Sequence, residues 1–155
     1  MKTTKTAIAA VWMATAAAVI GMAAPAQADD APANLPLTDD VRAQLVQAGA
    51  VLTGRPASEF SGLQPENQYY AYDPNAGNPD YWAAAALQGK TYLAKINTQD
   101  QDSYMIFRKG GDPAATWVPI AAGFGPIPAG EAPCPLPQSI RDLWKWPTGK
   151  CYPPA

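Results

Sequence analysis

Two clusters of oxygen-bearing side chains and one pair of thiols are the groups in this chain whose types and spacing suit chemistry. Asp73-x-Asn75-x-Gly77 opens like a calcium loop, in which alternate oxygen side chains converge on one ion. The pattern then breaks. Asn78 stands where the loop requires glycine and Ala84 where it requires a bidentate glutamate, so the stretch reads as a β-hairpin turn and no metal site is expected. Asp100 and Asp102 form a second carboxylate pair, since residues two apart on a strand share a side. They sit between Gln99, Gln101 and Ser103, which is the texture of a solvated turn rather than of an acid–base site.

Histidine is absent from all 155 residues. That absence excludes Ser-His-Asp and Cys-His nucleophile systems, histidine-held zinc or haem, and an imidazole pH switch. An enzyme built on this chain would have to use carboxylate, lysine or tyrosine groups. The specific alternative is a glycan hydrolase with two carboxylates about 5 to 10 Å apart in a cleft. Asp73, Asp80, Asp100, Asp102 and Asp112 are its possible sources, and their placement on outer turns would remove it. No catalytic residue and no cofactor is assigned, and the expected protein is not an enzyme.

The start of the chain fixes the compartment. Lys2 and Lys5 precede an alanine-rich apolar run from Ala7 to Ala24, Pro25 breaks it, and Ala26-Gln27-Ala28 supplies the small residues of a signal-peptidase site. Residues 1–28 are read as a signal peptide cut before Asp29, rather than as a membrane anchor, because alanine contributes little insertion energy. The expected product is secreted, to the medium or the cell envelope, with no stable membrane insertion after cleavage. Two of the eleven basic residues leave with the signal, so nine basic and thirteen acidic residues remain, a formal charge of −4. Such a balance argues against nucleic acid or an anionic membrane surface as partner. In an oxidising compartment two cysteines pair, so Cys134 and Cys151 are expected to form a disulfide.

Tyr69, Tyr70, Tyr72, Tyr81, Trp82, Tyr92, Tyr104 and Trp117 make the middle of the chain aromatic. Tyr70 and Tyr72 share a strand face, and a hairpin that brings Trp82 beside them, with Trp117, would build a platform for a sugar or a peptide; plain sheet packing is the competing use of the same residues. A second candidate surface is the loop around Pro126-Ile127-Pro128, stiffened by proline and tethered at Cys134, which could meet a protease or another partner with little loss of entropy. A plain surface crossover is its competing use.

The elements that must hold these groups follow from pattern. Residues 29–36, rich in Ala, Asp and Pro, read as a flexible lead-in to a single domain over 37–155. Thr38 suits an N-cap, and Val41, Leu45, Ala48 and Leu52 make one apolar helix stripe that should stop near Gly54. A short helical turn over Pro56 to Phe60 should tuck Phe60 and Leu63 inward. Five strands are expected: Gln68 to Asp73, Tyr81 to Leu87, Thr91 to Asn97, Ser103 to Arg108 and Thr116 to Ala121, the last at an edge or bulged because of Pro119. For Tyr81 to Leu87 a helix behind an Asp80 cap is the alternative, since Ala83 to Ala86 favours helix and only the hairpin relation to the preceding strand favours strand. Pro137 should open a short helix carrying Ile140, Leu143 and Trp144. The fold class is α+β: an antiparallel meander of about five strands, with the N-terminal helix and the short C-terminal helix packed on one face.

Leu37-Thr38-x-x-Val41 to Ala50, Gly54 to Leu63, Tyr69 to Pro74, and Cys134-Pro135 with its tryptophan-bearing helix before Cys151 resemble uncharacterised small secreted proteins of actinobacteria. The resemblance implies export and the disulfide and transfers no functional residue. The function expected from the sequence is that of a non-enzymatic extracellular protein that binds a protein or a glycan, with protease inhibition as its most specific form. A structural role in the cell envelope is the third possibility.

Overall fold

Thr38 opens the first helix, α1 (Asp39–Thr53), in the way its residue type predicts. Its hydroxyl accepts the Val41 N–H at 3.3 Å, and Asp39 and Asp40 occupy the positive end of the helix dipole. Gly54 ends the helix at φ 67°, a left-handed conformation that side chains resist, and its N–H caps the carbonyls of Ala50 and Val51. Leu45 is fully buried, and Val41 and Ala48 pack against the same core. Leu52 does not follow the stripe and is half exposed, while Gly49 and Ala50 turn inward. The computed structural model describes residues 31–74, 79–99, 104–122, 134–148 and 151–154.

After a 3-10 turn at Ala57–Glu59 the chain enters a sheet of six antiparallel strands. They are β1 (Ala33–Asn34), β2 (Phe60–Leu63), β3 (Tyr69–Asp73), β4 (Asp80–Gly89), β5 (Tyr104–Gly110) and β6 (Val118–Ala122). The order is β1-β3-β4-β5-β6, and β2 pairs with the end of β4 that β3 does not reach. Phe60 and Leu63 are buried as expected. Within the stretch read as a lead-in, Ala33–Asn34 pairs with Tyr72 and Ala71, and the Leu35 N–H donates to the Tyr70 carbonyl at 2.9 Å. β6 is an edge strand, and a register irregularity lies beside the Phe107–Pro119 pair, where proline offers no donor.

Two expectations need correction. Thr91 to Asn97, read as a strand from its β-branched residues, lies instead in a helix, α2 (Tyr92–Gln99). The Thr91 hydroxyl accepts the Ala94 N–H at 3.2 Å as a cap would, and Ala94 and Thr98, one turn apart, are the buried residues of α2. Gly89 makes the contact with β4 possible: a Cβ there would lie 2.4 Å from the Ala94 backbone. Capping and burial outweigh strand propensity here.

The second correction concerns the faces of the sheet. The helices do not share one face. Ala83, Ala85 and Leu87 of β4 join Met105 and Phe107 of β5 in a core with Leu45, Phe60, Ala94 and Trp117. Trp82, Ala84 and Ala86 join Tyr104 and Ile106 in a separate core with Leu136, Ile140, Trp144 and Trp146. Because strand side chains alternate, α1 and the C-terminal helix α3 (Gln138–Leu143) cover opposite faces. Ala83 to Ala86, a helix-favouring run by composition, is a strand because each alanine lets a neighbouring layer approach.

Pro137 precedes α3 as expected, and Ile140, Trp144 and Trp146 are buried beneath it. Cys134 and Cys151 are bonded, with Cα atoms 5.3 Å apart. The Trp144 indole N–H donates to the Asn34 side chain at 3.1 Å, so this segment also holds β1. Among the described residues no helix is long and apolar enough to cross a membrane. Closing a loop of 17 residues stabilises a fold by about 3 kcal/mol in the chain-entropy picture. Urea unfolding of Cys134→Ser/Cys151→Ser should therefore show a loss of about 3 kcal/mol with tryptophan fluorescence shifted toward solvent; an unchanged midpoint would contradict the docking described.

Candidate functional site

The β3–β4 hairpin decides which aromatic residues meet. Asp73 pairs with Asp80 across the two strands, so Tyr72 stands opposite Tyr81, Ala71 opposite Trp82, and Tyr70 opposite Ala83. Directly opposed residues share a face. Tyr70, Tyr72 and Tyr81 consequently line the α1 side of the sheet, and Trp82, expected among them, points to the α3 side and is 4% exposed. Trp117, also expected in the platform, is on the tyrosine side but is 7% exposed, as part of the core.

The result is a stepped row rather than a flat platform. Trp117 meets Tyr70 edge to face with ring centroids 5.8 Å apart; Tyr70 lies 6.1 Å from Tyr81, and Tyr81 lies 5.1 Å from Tyr72, the last two pairs tilted by 31° and 49°. All three tyrosines are half-buried, which leaves part of each residue open to solvent. Lys109 places its Nζ 5.9 Å from the ring centre of Tyr81, the tyrosine that stands between Tyr70 and Tyr72, so a cation lies beside the row. Tyr81 is among the aromatic residues of the sequence but not in the expected platform, and Lys109 is not expected there. Counting inward from the turn ends Asp73 and Asp80 would have put Tyr81, not Trp82, beside Tyr72.

Burial and the neighbouring Tyr81 phenol push the Tyr70 hydroxyl above its ordinary pKa. Tyr104, on the other face, is pushed up further, by burial first and by Tyr69 second, while its hydroxyl donates to the Asn67 carbonyl at 2.8 Å. That face also carries a polar knot. Asp73 and Asp80 are each 2% exposed, and like charges directly opposite on a sheet repel. The repulsion is offset locally. Arg108 donates through Nε and Nη2 to Asp80 Oδ2, at 3.0 and 2.7 Å, and Ser139 of α3 donates to Asp73 Oδ2 at 2.9 Å. The Arg108 guanidinium also covers Trp82, 5.6 Å from its ring centre.

Asp73 and Asp80 thus belong to the joint between sheet and α3, not to outer turns, and their burial closes them to a substrate. Asp112 is on an exposed turn and accepts the Ala114 N–H. Asn75, Gly77, Asp100 and Asp102 fall outside the described residues, as does the loop of Pro126, Ile127 and Pro128. Among the described residues no three acidic or cysteine side chains gather as a metal site would require.

No family model matches the chain, and neither a curated protein nor a solved structure gives a significant match.

The raised tyrosine pKa values set a direction for alkaline stability. Above the unfolded value of 10.0 the unfolded chain releases phenolic protons that folded Tyr70 and Tyr104 retain, so unfolding gains from each rise in pH. The stabilisation is intact below that value and lost above it. Urea midpoints measured across that value should fall on its alkaline side, and Tyr104→Phe should flatten the fall; an equally steep decline in the variant would place the effect elsewhere.

Proposed function

We propose that the protein is exported, matures by loss of residues 1–28, and acts outside the cell as a non-enzymatic protein that binds a glycan on its tyrosine face. The observation that carries this is the row Tyr70, Tyr81 and Tyr72, half-buried on one side of the sheet with Lys109 beside Tyr81. Partly exposed rings offer apolar area at low entropic cost, and phenol hydroxyls beside them suit the mixed character of a sugar, which is apolar on its ring faces and polar at its rim. The steps between rings suit a chain of sugar units better than one flat residue.

Export is supported by the leader pattern, by the disulfide, which belongs to oxidising compartments, and by the resemblance to secreted actinobacterial proteins. A non-enzymatic role is supported by the missing histidine and by the closure of Asp73 and Asp80 beneath Arg108 and α3.

Affinity electrophoresis of the mature chain through gels containing cellulose derivatives, starch, xylan and solubilised cell-wall glycan tests the proposal. At least one polymer should retard the protein, and Tyr72→Ala/Tyr81→Ala should weaken retardation by about tenfold or more, about 1.4 kcal/mol. Tyr92→Ala, which removes a 78% exposed tyrosine of α2, should change nothing. Free migration in every gel, or equal loss from Tyr92→Ala, would overturn the assignment.

A further inference from the structure

A groove of about 390 Å³ lies between α1 and the segment that leads into β6, lined by Gln44, Gln47, Val51, Thr116 and Trp117. We propose that this groove is the subsite that selects an uncharged sugar residue, a specialisation that rests on the glycan reading above. Its volume falls within the range of about 300 to 1,000 Å³ usual for small-ligand sites. The lining carries two carboxamides and one hydroxyl, groups that both donate and accept, and no charged side chain. That set matches a ring of neutral hydroxyls and offers nothing to a carboxylate or phosphate, which would lose water on entry without a cation to replace it.

Two further observations point the same way. Val51 is 80% exposed and lines the groove together with Trp117, two apolar surfaces suited to the carbon-bound hydrogens of a sugar ring. The Trp117 indole N–H is buried without a hydrogen-bond partner among the described residues. An unmet donor costs about 1–3 kcal/mol, so an acceptor brought to it recovers stability. Trp82 and Trp146 also carry unmet indole donors, but they belong to the α3 side, and Trp117 is the one of the three that lines this groove. Trp117 is also the residue in ring contact with Tyr70, so one side chain borders both the groove and the tyrosine row. A glycan chain lying along the sheet would place one residue between Gln44 and Trp117 and the following units over Tyr70, Tyr81 and Tyr72.

The test is titration of the mature chain with cellohexaose and maltohexaose, and with hexagalacturonate as the anionic comparator, read by the indole and carboxamide resonances in nitrogen-15 spectra. Gln44 and Gln47 are exposed, so Gln44→Ala/Gln47→Ala should fold normally. At least one neutral hexasaccharide should move the Trp117 indole and Gln44 or Gln47 carboxamide signals, and the double variant should weaken its binding about five- to tenfold, the loss expected for one or two hydrogen bonds. Neutral binding that moves the Tyr72 and Tyr81 signals but leaves Trp117 still and the double variant at full affinity would overturn the groove and leave the tyrosine face standing. Tighter binding of hexagalacturonate than of either neutral chain would overturn the selectivity. No binding of any probe would remove both groove and face.

Discussion

Burial of β4 on both sides is the constraint from which the rest of the architecture follows. Trp82 to Leu87 are each 5% exposed or less, with side chains sent alternately to two separate cores. A strand closed on both faces cannot slip by one residue, because a slip would exchange every occupant of one core with the other. Four consecutive alanines make this sandwich thin: the methyl groups of Ala83 and Ala85 admit the α1 layer, and those of Ala84 and Ala86 admit the tryptophans around α3. The fixed register also fixes the Asp73–Asp80 pair, and through it the meeting of Tyr72 with Tyr81.

The two faces then serve different ends. On the α3 side, Ile140, Trp144 and Trp146 seal the sheet, and the Cys134–Cys151 bridge, the Ser139–Asp73 bond and the Trp144–Asn34 bond hold the seal in place. Arg108 completes it by meeting the buried charge of Asp80, which would otherwise be costly to keep from water. On the α1 side the helix covers only part of the sheet. Leu45 and Ala50 close the middle, and the hairpin end keeps its tyrosines half-open. The residues closed to solvent are therefore those that make the fold, and the partly open ones are those on which the proposed glycan face rests.

Local signals in the sequence carried much of this. Thr38 and Gly54 bound α1, Pro137 precedes α3, Pro119 marks the edge strand, and the two cysteines pair. What pattern did not convey were effects that need three dimensions. Thr91 to Asn97 has β-branched residues, yet Thr91 caps a helix whose Ala94 and Thr98 are buried, and that burial outweighs strand propensity. β1 and β2 are too short to announce themselves, and β1 exists through pairing with β3 and through the Trp144–Asn34 bond. The placement of the helices on opposite faces was hidden because a run of alanine has no alternation to read. For the aromatic site, Tyr70 and Tyr72 were legible from their spacing. The exchange of Tyr81 for Trp82 depended on hairpin register, and the polar knot of Asp73, Asp80, Arg108 and Ser139 joins residues from four separate elements.

Methyl-resolved nuclear Overhauser spectra of a chain labelled at alanine test the two-sided burial of β4 most directly. The account predicts that the methyl groups of Ala83 and Ala85 report the side chains of the Leu45 and Phe107 core, while those of Ala84 and Ala86 report Ile106 and the tryptophans of the α3 segment. Alternate alanines that instead see the same neighbours, or methyl groups on one side that exchange with solvent-exposed positions, would contradict it.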